Sequence, residues 1–201
     1  MSRGLYFYNN MYERILSNFA MHVSLTAPEA DCICSRLVFC TVKKHTQLLK
    51  EGDICRNIYF VIKGCLRIYN KDDRGEEHNI LFCPENWWTV DIASFSNQTA
   101  AFYAIDALED TEVLYASYQT LEQLYIDVPK LERFFRILVQ NGFYVYQQRI
   151  TSNLSKDAEE RYKLFQKRYP GLELRIAQKH IASYLGITPV FLSMIRSRNI
   201  R

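Results

Sequence analysis

The stretch Gln178-Lys-His-Ile-Ala-Ser-Tyr-Leu-Gly-Ile-Thr-Pro-Val-Phe-Leu-Ser-Met-Ile-Arg-Ser197 decides the architecture of this chain. Ile181, Ala182 and Leu185 give a first short helix one apolar face. Gly186 supplies the left-handed residue that a tight turn needs. Ile187 plugs the angle, Thr188 can cap a second helix, and Pro189 suits its first position. Leu192 and Ile195 then point back at the first helix. Helix, glycine turn and helix with inward apolar positions is the helix-turn-helix pattern. The candidate DNA-contacting residues are Gln178, Lys179, Thr188, Pro189, Val190, Phe191, Ser193, Met194, Arg196 and Arg198. Pro189, Val190, Phe191 and Met194 face outward and offer bases apolar contact without strong hydrogen bonds. Thr188 and Ser193 can bond bases or phosphates, and Lys179, Arg196 and Arg198 can bind phosphates. Specificity is therefore expected to lean on A·T-rich sites or on DNA shape.

Charge agrees with this placement. From Arg175 to Arg201 there are five basic side chains (Arg175, Lys179, Arg196, Arg198, Arg201) and no acid. The rest of the 201-residue chain carries 20 basic and 22 acidic side chains. A basic end on a near-neutral body points to an anionic partner, here double-stranded DNA.

Upstream, Ser155–Arg168 reads as a helix with acidic and capping residues at its start. Before it, Asp127-Val128-Pro129 looks like a helix start, with Asp127 as the cap. The helix it opens runs to about Leu154, roughly 37 Å at 1.5 Å per residue. Its apolar stripe is either a buried strut between two domains or a dimer seam. We take it as the seam of a homodimer, with Leu131, Phe135, Leu138, Gly142 and Val145 on it and Gly142 allowing close backbone approach.

Between Leu37 and Ser117 the period shortens. Leu37–Val42, Gln47–Leu49, Ile58–Ile62, Cys65–Tyr69, Asn79–Phe82, Phe102–Ile105 and Glu112–Ala116 read as strands, and Asp72-Asp73-Arg74-Gly75 as a hairpin turn. Short strands at this spacing predict a small barrel, roll or sandwich. Met11–Met21 and a second helix capped by Thr26 precede them. The expected domains are 1–126, N-terminal helices and β-roll; 127–154, dimerisation helix; and 155–201, DNA-binding end.

The whole, from about Met11 to Arg201, resembles the Crp/Fnr transcription regulators. Two stretches carry the resemblance. Lys50-Glu-Gly-Asp-Ile-Cys-Arg-Asn-Ile-Tyr-Phe-Val-Ile-Lys-Gly64-Cys-Leu-Arg-Ile-Tyr69 is similar to the family's turn and strand–Gly–strand hairpin, and Gln178 to Ile195 to its DNA-binding helices. The resemblance implies an α+β fold: a jelly-roll-like β-roll sensor domain, a long dimerisation helix and a C-terminal, winged-helix-like helix-turn-helix domain. It implies a transcription regulator whose partners are DNA, a second copy of the chain, RNA polymerase and a small-molecule effector. The other reading left open is a ligand-binding or interaction module with a vestigial helix-turn-helix.

The effector region by resemblance is Pro84 to Phe102. Trp87, Trp88, Val90, Asp91 and Thr99 are its candidate pocket residues. Cyclic-AMP-binding members place an Arg on the cyclic phosphate, and between Arg74 and Arg133 this chain has none. A buried phosphate without a cation is costly, so cyclic AMP is not expected. Haem needs an axial His, Cys or Met, and the stretch has only Cys83 at its edge; His78 is expected to be exposed on the hairpin. The Cys32/Cys34/Cys40 spacing departs from that of the cluster-sensing members. No cofactor and no metal are expected, and the six cysteines read as packed free thiols.

Hydrophobic residues make up 48% and charged residues 23%, which excludes wholesale disorder. No apolar run reaches membrane-spanning length and no signal peptide is apparent, so a cytoplasmic protein is expected. The chain lacks Gly-x-Ser-x-Gly, His-Glu-x-x-His and a phosphate-binding glycine loop, and its four histidines are scattered, so it is not read as an enzyme.

Overall fold

Two four-stranded antiparallel sheets form the body of the chain in a computed structural model that describes residues 12–199. Met11 and Arg201, named above, lie outside the described residues. Helices α1 (12–20) and α2 (Ala27–Cys34) lead into strands β1 (Val38–Val42), β2 (Gln47–Leu49), β3 (Asn57–Lys63), β4 (Leu66–Lys71), β5 (Glu77–Cys83) and β6 (Trp88–Thr89). A short helix α3 (Ile92–Asn97) precedes β7 (Ala104–Ala107) and β8 (Thr111–Ser117). Helices α4 (Tyr118–Asp127), α5 (Lys130–Ser155), α6 (Ala158–Arg168), α7 (Gln178–Leu185) and α8 (Pro189–Asn199) complete the order. No strand follows β8 among the described residues, so the winged-helix part of the expectation is not met there: the C-terminal end is helical.

The sheets run β1-β8-β3-β6 and β2-β7-β4-β5, the crossed order of a jelly roll. Strand β3 is buried from Ile58 to Ile62 because both of its faces are covered. The expected hairpin joins β4 to β5, with Lys71 opposite Glu77. Asp72 shapes its turn, its Oδ1 accepting from the Arg74 and Glu76 amides at 2.9 Å each. At Gly64, between β3 and β4, φ is +94°, and an added Cβ would lie 2.6 Å from Thr111 Oγ1. The strand–Gly–strand motif thus requires glycine on both conformational and steric grounds.

Local signals hold at the first helices. Thr26 and Glu29 form a capping box on α2. The α5 start differs from expectation. Asp127 closes α4 instead of capping α5, and its carboxylate pairs with Arg36 and accepts from Gln123 at 3.2 Å. Pro129 occupies the N-cap position without a side-chain bond. Ser155 ends α5, and Asp157 caps α6 through a capping box with Glu160.

The two halves of α5 have different fates. Leu131 and Phe135, placed on a dimer seam from sequence, are 1% and 8% exposed and belong to the roll's own core. With Phe134 they meet Phe19 of α1 and Trp88: the Phe19–Phe134 and Trp88–Phe135 rings lie 4.6 and 5.1 Å apart. Leu138 also packs on this core. The N-terminal half is therefore a strut, the alternative left open above. Gly142 and Val145 lie beyond it and are half-buried, and among the described residues nothing but the helix's own adjacent backbone lies within 4 Å of a Cβ added at Gly142.

Candidate nucleic-acid interface

The helix-turn-helix forms as its residues require. Gly186 adopts φ +67° and ends α7, and its amide bonds back to Ser183 at 3.2 Å. Thr188 Oγ1 accepts from the Phe191 amide at 3.2 Å, which caps α8. Ile181, Ala182, Leu185, Leu192 and Ile195 are buried together, and Ile187 packs against them. Thr188, Pro189, Val190, Phe191, Ser193, Met194 and Arg198 are exposed, as is Lys179, while Arg196 is half-buried. The Gln178 amide donates to the Pro189 carbonyl at 3.3 Å and stitches the two helices.

Behind this surface the helices are docked onto the roll. Phe82, Cys65 and Leu108 of the roll share one buried cluster with Phe165, Tyr169, Tyr184 and Leu185. Phe82 lies 5.7 Å from Tyr169 and 5.3 Å from Tyr184. Polar groups fix the register. Ser183 Oγ donates to the Glu77 carbonyl at 2.6 Å and accepts from the Asn79 amide at 3.0 Å. The Arg67 guanidinium of β4 makes a bidentate pair with Asp106 at 2.7 and 2.8 Å. It also meets Glu77 at 2.8 Å, Asn79 Oδ1 at 3.1 Å and His180 Nδ1 at 3.0 Å. Arg149 of α5 donates to the carbonyls of Asn79 and Tyr184 at 2.8 Å each and to that of Ile80.

These contacts are long-range and leave no local sign in the sequence. Arg175, counted above with the DNA-facing charge, is spent differently. Its guanidinium pairs with Glu85 at 2.8 and 2.9 Å and with Glu109, both on the roll. His180 is buried.

Residues 39–127 match the cyclic nucleotide-binding domain family. The fumarate and nitrate reduction regulatory protein of Vibrio cholerae is 27% identical over 168 residues, covering 78% of this chain and 66% of that one. Among solved structures, FixK2 from Bradyrhizobium japonicum superposes with a TM-score of 0.71 at 18% identity, over 81% of this chain and 83% of its own. The global regulator CLP of Xanthomonas campestris, described as responsive to c-di-GMP, gives 0.70 at 14% identity, over 86% and 91%. The chain is similar to regulators of the Crp/Fnr type. It spans just under two thirds of the length of the Vibrio relative.

In the region Pro84 to Phe102 the polar groups are engaged within the protein itself. Asp91 is buried and caps α3, its carboxylate accepting from the Ser94, Phe102 and Tyr103 amides at 3.1 Å each. No guanidinium stands in residues 75–132 to meet a phosphate. Trp88 is committed to the aromatic core and donates to Asn18 Oδ1 at 2.9 Å. Trp87 turns to the other side and packs on Tyr169 at 5.6 Å. Val90 is half-buried against the core, and Thr99 is exposed, with its carbonyl taking the Ser94 hydroxyl. The five residues named as a pocket are thus dispersed over both faces of the loop.

The six cysteines are free thiols, and Cys55, Cys65 and Cys83 are buried. Burial pushes the Cys65 and Cys83 thiols up, Cys83 to about 12. Cys32, Cys34 and Cys40 form no common ligand set among the described residues. His78 is exposed and pairs with Asp72 at 3.1 Å. No helix among the described residues is long and apolar enough to cross a membrane.

Proposed function

We propose that the chain is a homodimeric transcription regulator that binds duplex DNA through α8 in the major groove. The observation that carries this reading is the division of labour on α8. Leu192 and Ile195 lock it onto α7, while Val190, Phe191, Met194 and Arg198 stand clear of the protein. The names of the curated relatives, regulatory and transcriptional activator proteins, support it.

The second copy is inferred from α5. Val139, Phe143, Ile150 and Leu154 are 49%, 59%, 61% and 84% exposed. Their spacing of four, seven and four residues keeps them on one helix face, the geometry of a paired seam. Two α8 helices would then enter grooves roughly 34 Å apart. RNA polymerase is the partner such a regulator meets at a promoter, the cytoplasm is its compartment, and its work is binding, not catalysis. A small-molecule effector acts outside the cyclic-phosphate geometry, so calorimetry with cyclic AMP is expected to show no saturable heat.

Fluorescence anisotropy on duplex DNA at two salt concentrations tests the reading. Saturable binding that weakens steeply with salt is expected. Recovery of the same short motif among DNA fragments bound in cells would name the operator. No binding above background on any duplex would leave the helix-turn-helix vestigial.

A further inference from the structure

A cavity of about 970 Å³ opens between the C-terminal half of α5 and α6, with Trp87 of the roll at its edge. Its size is at the upper end of small-molecule clefts. Five cations line it, Arg149, Lys156, Arg161, Lys167 and Arg168, and no carboxylate does among the described residues. The partners of the three guanidiniums are neutral. Arg149 bonds backbone carbonyls, Arg161 the Lys156 carbonyl at 2.8 Å, and Arg168 the Gln148 amide oxygen at 3.1 Å. Lys156 has a carboxylate, Glu160, at 3.8 Å. Arg161 Nε is shielded from water and lacks a hydrogen-bond partner. A buried donor without a partner is costly, and converging like charges add repulsion. An anion would relieve both.

The opposite lining is aromatic. Phe165 and Tyr184 form the floor and Trp87 is half-buried at the rim. Guanidiniums fork onto phosphate oxygens, and an indole or phenol ring stacks on a base. We propose that this groove is a binding site for a nucleotide bearing two or more phosphate charges. The phosphates would lie along Arg161, Lys156, Lys167 and Arg168, and the base against Trp87. The walls come from the roll, the long helix and the DNA-binding end, so an occupant couples to how these parts sit together. The site is distinct from Pro84–Phe102 as an effector region and does not rest on DNA binding.

Calorimetry on the full chain at low salt, without DNA, tests it. Adenosine diphosphate is expected to bind one per chain, with a dissociation constant tighter than about 1 mM. Inorganic pyrophosphate, lacking a base to stack, is expected to bind about tenfold or more weakly. The double variant Lys156→Gln/Lys167→Gln changes two exposed side chains, so its circular dichroism and melting should match the parent. Its affinity for the diphosphate should fall at least about tenfold. Lys43→Gln, which changes a lysine paired with Asp110 at 2.8 Å, should leave affinity unchanged. Absence of saturable heat would overturn the proposal, as would full affinity in the double variant. Pyrophosphate binding as tightly as the nucleotide would overturn the base-stacking assignment. Stoichiometric displacement of the nucleotide by any short duplex would show the groove to be a seat for the DNA backbone, and would also overturn it.

Discussion

His180 Nδ1 accepts a hydrogen bond from Arg67 Nη1 at 3.0 Å, so the first helix of the helix-turn-helix and a central strand of the roll meet in a buried polar contact. A guanidinium can only donate, so this nitrogen must be unprotonated. Burial, then the Arg67 and Lys179 charges, push the imidazole down to about 4, and Asp106 and Glu77 oppose that shift only in part.

A pH dependence follows. The unfolded chain takes up the proton near the ordinary histidine value, and the folded chain only near 4. Between the two the unfolded form holds more protons, so stability from this contact is full above the upper value and is lost as pH falls through the window. Denaturant midpoints measured from neutral to mildly acidic pH should fall, this group adding at most about 1.4 kcal/mol per pH unit. In His180→Gln, whose amide oxygen can still accept from Arg67, that contribution should vanish.

The division of α5 predicts two kinds of variant. Phe143→Glu with Ile150→Glu buries like charges across a paired seam and should give folded monomers by sedimentation, with lost DNA affinity. Leu131→Ala should instead leave a cavity in the roll, costing about 2–5 kcal/mol in chemical denaturation, with dimerisation of the folded fraction retained.

Two arginines of the basic end should separate. Arg198 is exposed on α8, so Arg198→Gln should reduce the salt slope of DNA binding by about 0.9 per lost contact, near 2 per dimer. Arg175 is held by Glu85 and Glu109, so Arg175→Gln should leave the slope unchanged. Anisotropy titrations across salt concentrations read both.

Gly64→Ala forces a side chain into φ +94° and against Thr111. We expect a loss of at least about 2 kcal/mol from strain and overpacking, or roughly 4–8 °C in melting temperature. Gly142→Ala meets open space and should not destabilise the monomer.

Where structure is decided by neighbours in sequence, it was legible. Thr26, Gly186 and Thr188 cap or turn helices through residues within three or four positions, and the Asp72–Gly75 turn is equally local. Misreadings arose where a distant group claims a side chain. Asp127 looks like a cap until Arg36, from the other end of the roll, takes its carboxylate. Arg175 looks like DNA-facing charge until Glu85 and Glu109 neutralise it. Apolar periodicity marked the α5 stripe, but periodicity does not say whether the covering surface is the chain's own roll or a second copy. Helix α3 is not legible in the sequence because Ile92–Asn97 is barely a turn and a half, too short for an apolar period to register. The rotation of α8 is legible because Leu192 and Ile195 are its buried positions.

Arg149 donates from the long helix to Asn79 and Ile80 on one side and to Tyr184 on the other. One side chain therefore rivets three parts of the molecule. Swinging α7 and α8 away from the roll cannot proceed by loosening one joint at a time, because the same planar group would have to abandon bonds in both directions together. Under the function proposed above, a signal that reorients these helices would then act as a threshold instead of a dial: below it the bonds hold, and beyond it they are surrendered as a set.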